Sequence, residues 1–449
     1  MPSTVLDSDI FKDMFGTAEM RAVFSDENLL ACYVQAELAL AVAQGRTGVI
    51  PQDAADAIAS RAPSVVLDIA VLKLEAENVG YPILGLVRQL SAKLGDAGRY
   101  VHWGATTQDI MDTATVLQLR AAFTIVERDM AAVSAALARL AEKYRDTPMA
   151  GRTHLQQALP VTFGYKCAIW LSMMDRHAER LRELKPRVLV AQLGGAAGTL
   201  ASLGDKGLDV RREYARALGL GDPPITWHVA RDGVVEAVNF LGLVTGSLGK
   251  IGFDIMLMMA TEIAEAFEPF ASHRGASSTM PQKRNPISSE VLVANAKAVR
   301  QHAGLMLDAM IQDFERATGP WQVEWMAVPE SFILAAGSLF QAKFMLEGLV
   351  VDEGRMRRNL DMTQGLIVAE AVMMGLAPDL GRQQAHDIVY EACREALAQA
   401  RSLFDVLAAN PVVSGALSPD RLRALCDPAN YLGSAPAMVD AIVRMTRPS

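Results

Sequence analysis

Three short segments carry the side chains best suited to chemistry. The first is 272–286, Ser-His-Arg-Gly-Ala-Ser-Ser-Thr-Met-Pro-Gln-Lys-Arg-Asn-Pro. Lys283 offers a point charge for a carboxylate and Asn285 a directional donor. The adjacent hydroxyls of Ser277 and Ser278 add donors and a candidate base. Acidic residues number 51 among 449, yet none falls between 269 and 289. A polar loop rich in Lys, Arg, Ser and Asn without a carboxylate suits an anionic ligand. Gly275 permits a mobile backbone, and Pro281 and Pro286 keep helix out. The plainer reading is a surface loop joining two long helices.

The second segment is 151–160, Gly-Arg-Thr-His-Leu-Gln-Gln-Ala-Leu-Pro. His154 can move a proton near neutral pH, and Thr153 and Gln156 can hydrogen-bond a ligand. A lone histidine is as readily structural. The third is 102–113, His-Trp-Gly-Ala-Thr-Thr-Gln-Asp-Ile-Met-Asp-Thr. Gly104 allows close backbone approach, Thr106 and Thr107 bring hydroxyls, and Gln108 brings an amide. Thr107 or Asp109 would also cap the long helix that follows. Cap and ligand role can coexist, because a helix N-terminus favours an anion. Two further stretches, 147–174 and 184–204, also lack acidic residues and hold Arg152, Lys166, Lys185 and Arg187.

The elements that position these segments read as almost entirely helical. Runs rich in Ala, Leu, Glu and Arg dominate, and short alternating Val/Ile/Thr runs are scarce. Ser25 or Asp26 caps a helix running to about Gln44. Long helices are expected over 113–144, 234–266, 288–314 and 331–349. Thirty residues of helix span about 45 Å. Several such helices, apolar on more than one face, imply a long bundle with surface left for burial between subunits. Breaks near 110 and 355 suggest three parts: an N-terminal helical domain over 1–110, a central bundle over 111–355, and a small C-terminal helical domain over 356–449. Asn410-Pro411, Ser418-Pro419 and Asp427-Pro428 punctuate the last part.

Composition excludes several classes. The net charge of -8 argues against a nucleic-acid scaffold and a polybasic membrane binder. The most apolar stretch, 240–260, carries Lys250 and Asp254, so a buried helix is expected there rather than a membrane span. The four cysteines, Cys32, Cys167, Cys393 and Cys426, show no metal-ligand spacing. A reduced, cytoplasmic protein without a structural metal is expected, and the N-terminus lacks the pattern of a signal peptide.

Residues 277–286, Ser-Ser-Thr-Met-Pro-Gln-Lys-Arg-Asn-Pro, resemble the signature loop of the fumarase/aspartase superfamily. This superfamily includes argininosuccinate lyase, adenylosuccinate lyase and 3-carboxy-cis,cis-muconate cycloisomerase. Segments 102–113 and 151–160 resemble its two other signature regions, in the right order and at the right separations. Within the superfamily the chain is most similar to the bacterial 3-carboxy-cis,cis-muconate cycloisomerases. Carrying that likeness are 192–200, Gln-Leu-Gly-Gly-Ala-Ala-Gly-Thr-Leu, Trp227-His228 followed by Arg231-Asp232, and 246–250, Gly-Ser-Leu-Gly-Lys.

The resemblance implies an all-α, three-domain protein whose long helices form a homotetrameric core of about twenty helices. Each active site would draw on three chains, and no cofactor or metal would be needed. It implies Ser277 as the acid/base and Lys283 and Asn285 as binders of the activated carboxylate. His102, Thr106, Thr107, Thr153, Gln156, Ser278 and Arg231 would bind a small polycarboxylate substrate. His154 would be either a second acid/base or a cation for a carboxylate. The implied reaction is cycloisomerisation of 3-carboxy-cis,cis-muconate to a carboxymuconolactone in protocatechuate breakdown. Two departures keep a fumarate-releasing C–N or C–O lyase in view. Residues 151–156 read like the fumarase and aspartase version, with a histidine that some cycloisomerases lack, and Ala276 replaces the more usual Gly or Ser. The His-Asp pair of adenylosuccinate lyases is missing from 77–83, Glu-Asn-Val-Gly-Tyr-Pro-Ile, which ranks that activity low.

Overall fold

Ser25 is extended, and its hydroxyl accepts the backbone N–H of Asn28, so a long helix, α1, opens at Asp26 and runs Asp26–Thr47. The computed structural model describes residues 4–316 and 318–446. After three shorter helices, Gln52–Arg61, Ile69–Val79 and Ile83–Leu94, comes α2, Thr107–Lys143, with 37 residues. A hairpin follows, β1 (Pro148–Thr153) with β2 (Gln156–Thr162). Then come α3 (Phe163–Val188), α4 (Gly207–Leu218) and α5 (Asp232–Met259). Beyond the signature loop lie α6 (Ile287–Ala309), α7 (Pro320–Glu347) and α8 (Glu353–Asp361). The C-terminal part holds shorter helices. Asn410, Ser418 and Asp427 each cap one with a proline at its start. The protein is all-α, as expected.

Contacts among the described residues group the chain into two compact units. One draws on Met1–Met130, His177–Leu248 and Val293–Phe340, the other on Ala131–Arg176, Gly249–Leu292 and Gln341–Ser449. In the first, α1 packs on α4. The α1 face is thin, with Ala36, Ala39 and Ala43 buried beside Leu40, and it meets buried Val210, Tyr214 and Leu218. In the second, the β1–β2 hairpin packs on α8, and Val372, Leu376, Val389, Leu403 and Leu407 form a separate C-terminal core.

Helix ends differ from the sequence reading for identifiable reasons. Helix α7 starts at Pro320 and continues through Pro329, where a start after the second proline was expected. Helix α5 ends at Met259 and α6 at Ala309, both several residues early. The hairpin and α3 were not anticipated. Lys250 and Asp254 pair within α5 at 2.6 Å. Helices α5 and α7 are long and apolar enough to cross a membrane by length and composition, with 50% and 61% of their most apolar windows buried inside the chain. Leu243 and Phe253 of α5 and Met326 and Phe340 of α7 remain exposed. The four cysteines are unpaired, and burial pushes the Cys32 thiol up to about 11.

Candidate active site

The signature loop leaves an element end that is firmly held. The Glu268 carboxylate accepts the N–H groups of Ser288 (3.1 Å) and Ser289 (2.8 Å), capping α6 from outside the helix. Arg274 donates to Ser288 Oγ and Gln341 Oε1, and Arg284 donates to the Glu268 carbonyl. Both cations of the loop's stem are thus committed. Across the stem, Asn285 N–H donates to the Gly275 carbonyl at 2.8 Å. Gly275 has φ +70°, and a Cβ there would lie 2.4 Å from the Asn285 carbonyl oxygen, so only glycine closes this clasp.

Within the loop, Ser277 Oγ accepts two backbone N–H groups, from Thr279 at 3.3 Å and Met280 at 3.1 Å. Ser277 is half-buried and Ser278 exposed. Two amide dipoles aimed at one hydroxyl oxygen lower the cost of placing negative charge on it. A turn at Met280-Pro281-Gln282-Lys283 then follows, with Lys283 N–H donating to the Met280 carbonyl. Lys283 is exposed and has no ion-pair partner among the described residues. The loop therefore presents a polarised hydroxyl, an uncommitted ammonium and a half-buried amide, Asn285, with carboxylates excluded.

At the hairpin tip, Thr153 pairs with Gln156 across a two-residue turn made by His154 and Leu155. Both have positive φ, +53° and +63°, a conformation usually given to glycine or asparagine. Strain of this kind is tolerated where the surroundings impose it. The strand position next to the tip supplies that restraint: Arg152 forms a two-bond ion pair with buried Glu265 at 2.7 and 2.8 Å, and Asn359 donates to the same carboxylate. Arg152, counted at first among the cations of an acid-free stretch, is neutralised. Thr153, His154 and Gln156 are all exposed at the tip. They lie in the same unit as the signature loop.

The third segment lies in the other unit. Helix α2 starts at Thr107, where a start near 113 was expected, and is capped by Thr106 rather than by Thr107 or Asp109: Thr106 N–H donates to Asp109 at 3.0 Å, the reciprocal half of a capping box. Asp109 also accepts Gly194 N–H and Gly195 N–H at 2.8 and 2.9 Å, and so fixes the glycine-rich turn. Burial lifts its carboxyl to about 6, against the pull of these donors. Thr106 and Thr107 are half-buried at this helix N-terminus. Arg316 donates to Gln108 Oε1 and to the Ala196 carbonyl, a connection not legible in residue order.

Arg231 is a correction. It was expected to bind substrate, but it is 2% exposed and engaged on all sides. It donates to Asp112 at 2.7 and 2.9 Å and to both oxygens of Glu324, and stacks 4.9 Å from the Trp227 ring. Trp321 Nε1–H also donates to Asp112. Two carboxylates engage Nε and both terminal nitrogens of the guanidinium, so Arg231 is a buried strut.

The family described as Lyase matches residues 15–300, and the one described as Adenylosuccinate lyase C-terminus matches 365–442. The chain is 48% identical to the 3-carboxy-cis,cis-muconate cycloisomerase of Pseudomonas aeruginosa, covering 98% of this chain and 96% of that one. It is 48% identical to trans-aconitate decarboxylase 1 of Mycosarcoma maydis, covering 97% and 88%. A crystal structure of fumarate lyase from Mesorhizobium sp. BNC1 superposes with a TM-score of 0.91 at 57% identity, covering 96% and 98%. The chain belongs to this lyase family, the fumarase/aspartase superfamily, and is an enzyme of it.

Proposed function

We propose that the protein is a cofactor-independent cycloisomerase that converts 3-carboxy-cis,cis-muconate to a carboxymuconolactone. The observation that carries the chemistry is the convergence of two amide N–H groups on Ser277 Oγ, beside Lys283 and Asn285 in a loop free of carboxylates. The 48% identity to a cycloisomerase supports the substrate. In this reading a carboxylate oxygen of the substrate adds across its own double bond. The electron pair moves to the neighbouring carbon and onto the carboxylate beyond it, as an aci-carboxylate dianion. Lys283 and the Asn285 amide bind that dianion, and Ser277 delivers the proton that completes the lactone. Holding nucleophile and alkene together supplies several kcal/mol, on the order of the effects seen in intramolecular reactions.

The working enzyme is, in the same proposal, a cytoplasmic homotetramer in which three chains contribute to each site. The exposed apolar residues of α5 and α7 support burial between copies. A second reading, a lyase releasing fumarate from a substituted aspartate or succinate, is favoured by His154 at the strained tip and by the 57% identity to a fumarate lyase. One ultraviolet assay separates them. Loss of the muconate chromophore supports the first, gain of fumarate absorbance the second, and silence toward both contradicts the two together.

A further inference from the structure

Glu37 of α1 is buried, with a side chain 1% exposed, and its Oε1 lies 2.6 Å from His102 Nδ1. Its other oxygen, Oε2, has no hydrogen-bond partner among the described residues. A carboxylate with a purely structural duty would be expected to satisfy both oxygens, because each buried unpaired acceptor is unfavourable. His102 sits in left-handed backbone, φ +62°, two residues before Gly104 at φ +71°. The Trp103 carbonyl between them is held by the Gln44 side-chain amide of α1 at 2.6 Å. Helix α1 therefore grips this turn twice, at the imidazole and at the backbone. The imidazole keeps 19% of its surface exposed, and its Nε2 has no partner among the described residues.

We propose that Glu37 is a positioning residue that makes His102 an anchor for one carboxylate of the substrate, with Nδ1–H donated to Glu37 and Nε2–H donated to the ligand. The inference rests on the polycarboxylate reading above and names a residue which that reading did not use. Thr106 and Thr107, four and five residues on, stand at the N-terminus of α2, where a second donor set faces the same anion. The charged groups facing His102 are Glu37 from α1 and Asp109 from α2. Tyr214 of α4 also lies near both carboxylates: burial chiefly, with a smaller push from the charges of Asp109 and Glu37, holds its phenol up. Burial alone would lower the imidazole's proton affinity. The Glu37 charge and hydrogen bond, with a smaller push from Asp109, more than offset it, so His102 stays protonated above its ordinary range.

The test compares wild type, Glu37→Gln, His102→Gln and the double variant in the intact enzyme. Carbon-13 labelling at histidine Cε1 follows the His102 titration directly. Glu37→Gln should move that titration to lower pH and raise KM about tenfold, with kcat within a few-fold. The double variant should be no worse than His102→Gln. The rise in KM with pH should begin at lower pH in Glu37→Gln. Tricarballylate, a saturated tricarboxylate probe, should bind about tenfold more weakly to Glu37→Gln by calorimetry. An unchanged titration, or a lowered melting temperature with KM and probe affinity intact, would overturn the proposal. Turnover of neither muconate nor a fumarate-releasing substrate would remove the functional reading alone, since the titration and tricarballylate affinity still decide the dyad.

Discussion

The amide nitrogen of Met280 lies 3.1 Å from the hydroxyl oxygen of Ser277, and the amide of Thr279 approaches the same oxygen. A free serine hydroxyl is a poor proton carrier. Fixed dipoles aimed at its oxygen favour the alkoxide without any rearrangement at the moment of transfer. The neighbouring hydroxyl of Ser278 has no such setting. The loop bends at Ser278 and Thr279 instead of running extended, yet it still separates the two serines, one half-buried and one exposed.

Lys283 and Ser278 should behave differently. Lys283→Met removes a charge that serves both ground and transition state. It should raise KM and lower kcat together, a loss of about 10- to 100-fold in kcat/KM. Ser278→Ala should change kcat/KM only a few-fold. Steady-state kinetics on both variants checks the pair.

Arg231→Met should destabilise rather than impair binding. It leaves the buried carboxylates of Asp112 and Glu324 facing each other without a cation, a loss of about 3–5 kcal/mol. Chemical denaturation should show the loss, while any enzyme that folds should keep a near wild-type KM. A selective rise in KM without loss of stability would return Arg231 to the substrate.

Asp109 gives stability a pH dependence of known sign. Its folded-state carboxyl sits at about 6, above its ordinary 3.8. The folded chain thus holds this proton more tightly than the unfolded one. The contribution favours folding at low pH and is lost as pH rises from about 4 to about 6, by as much as roughly 3 kcal/mol. Asp109→Asn cannot titrate. The stability of wild type relative to Asp109→Asn should therefore fall across that interval and level off above it. A difference independent of pH would contradict the assignment.

Helices α5 and α7, with their exposed apolar residues, should pack between copies. Light scattering should give about four chain masses at micromolar concentration, and Leu243→Lys with Phe253→Lys should shift the population to smaller species. A stable wild-type monomer would exclude a site shared among chains.

Much of this was legible in residue order. Helical periodicity and cap residues such as Ser25 marked the fold, and the clustering of Lys283, Asn285 and paired serines in an acid-free loop marked the chemistry. What was hidden depended on distant partners. Nothing near Arg231 in the chain announces Asp112 or Glu324, 119 and 93 residues away, so a buried strut read as a free cation. Glu37 and His102 are separated by 65 residues. The hairpin was missed because His154 and Leu155 are not residues that ordinarily make a tight turn, and the restraint that allows it, Glu265 on Arg152, comes from 113 residues further on.

The most direct measurement is kcat of Ser277→Ala on the substrate that the wild-type enzyme turns over, with substrate affinity measured alongside. With Ser277 as the proton carrier, kcat should fall by about 10²–10⁴ while binding survives. If the loop only closes over the site and His154 carries the proton, Ser277→Ala and Ser278→Ala should show equal, modest effects, with collapse confined to His154→Ala. A Ser277→Ala enzyme with near wild-type kcat would contradict the account.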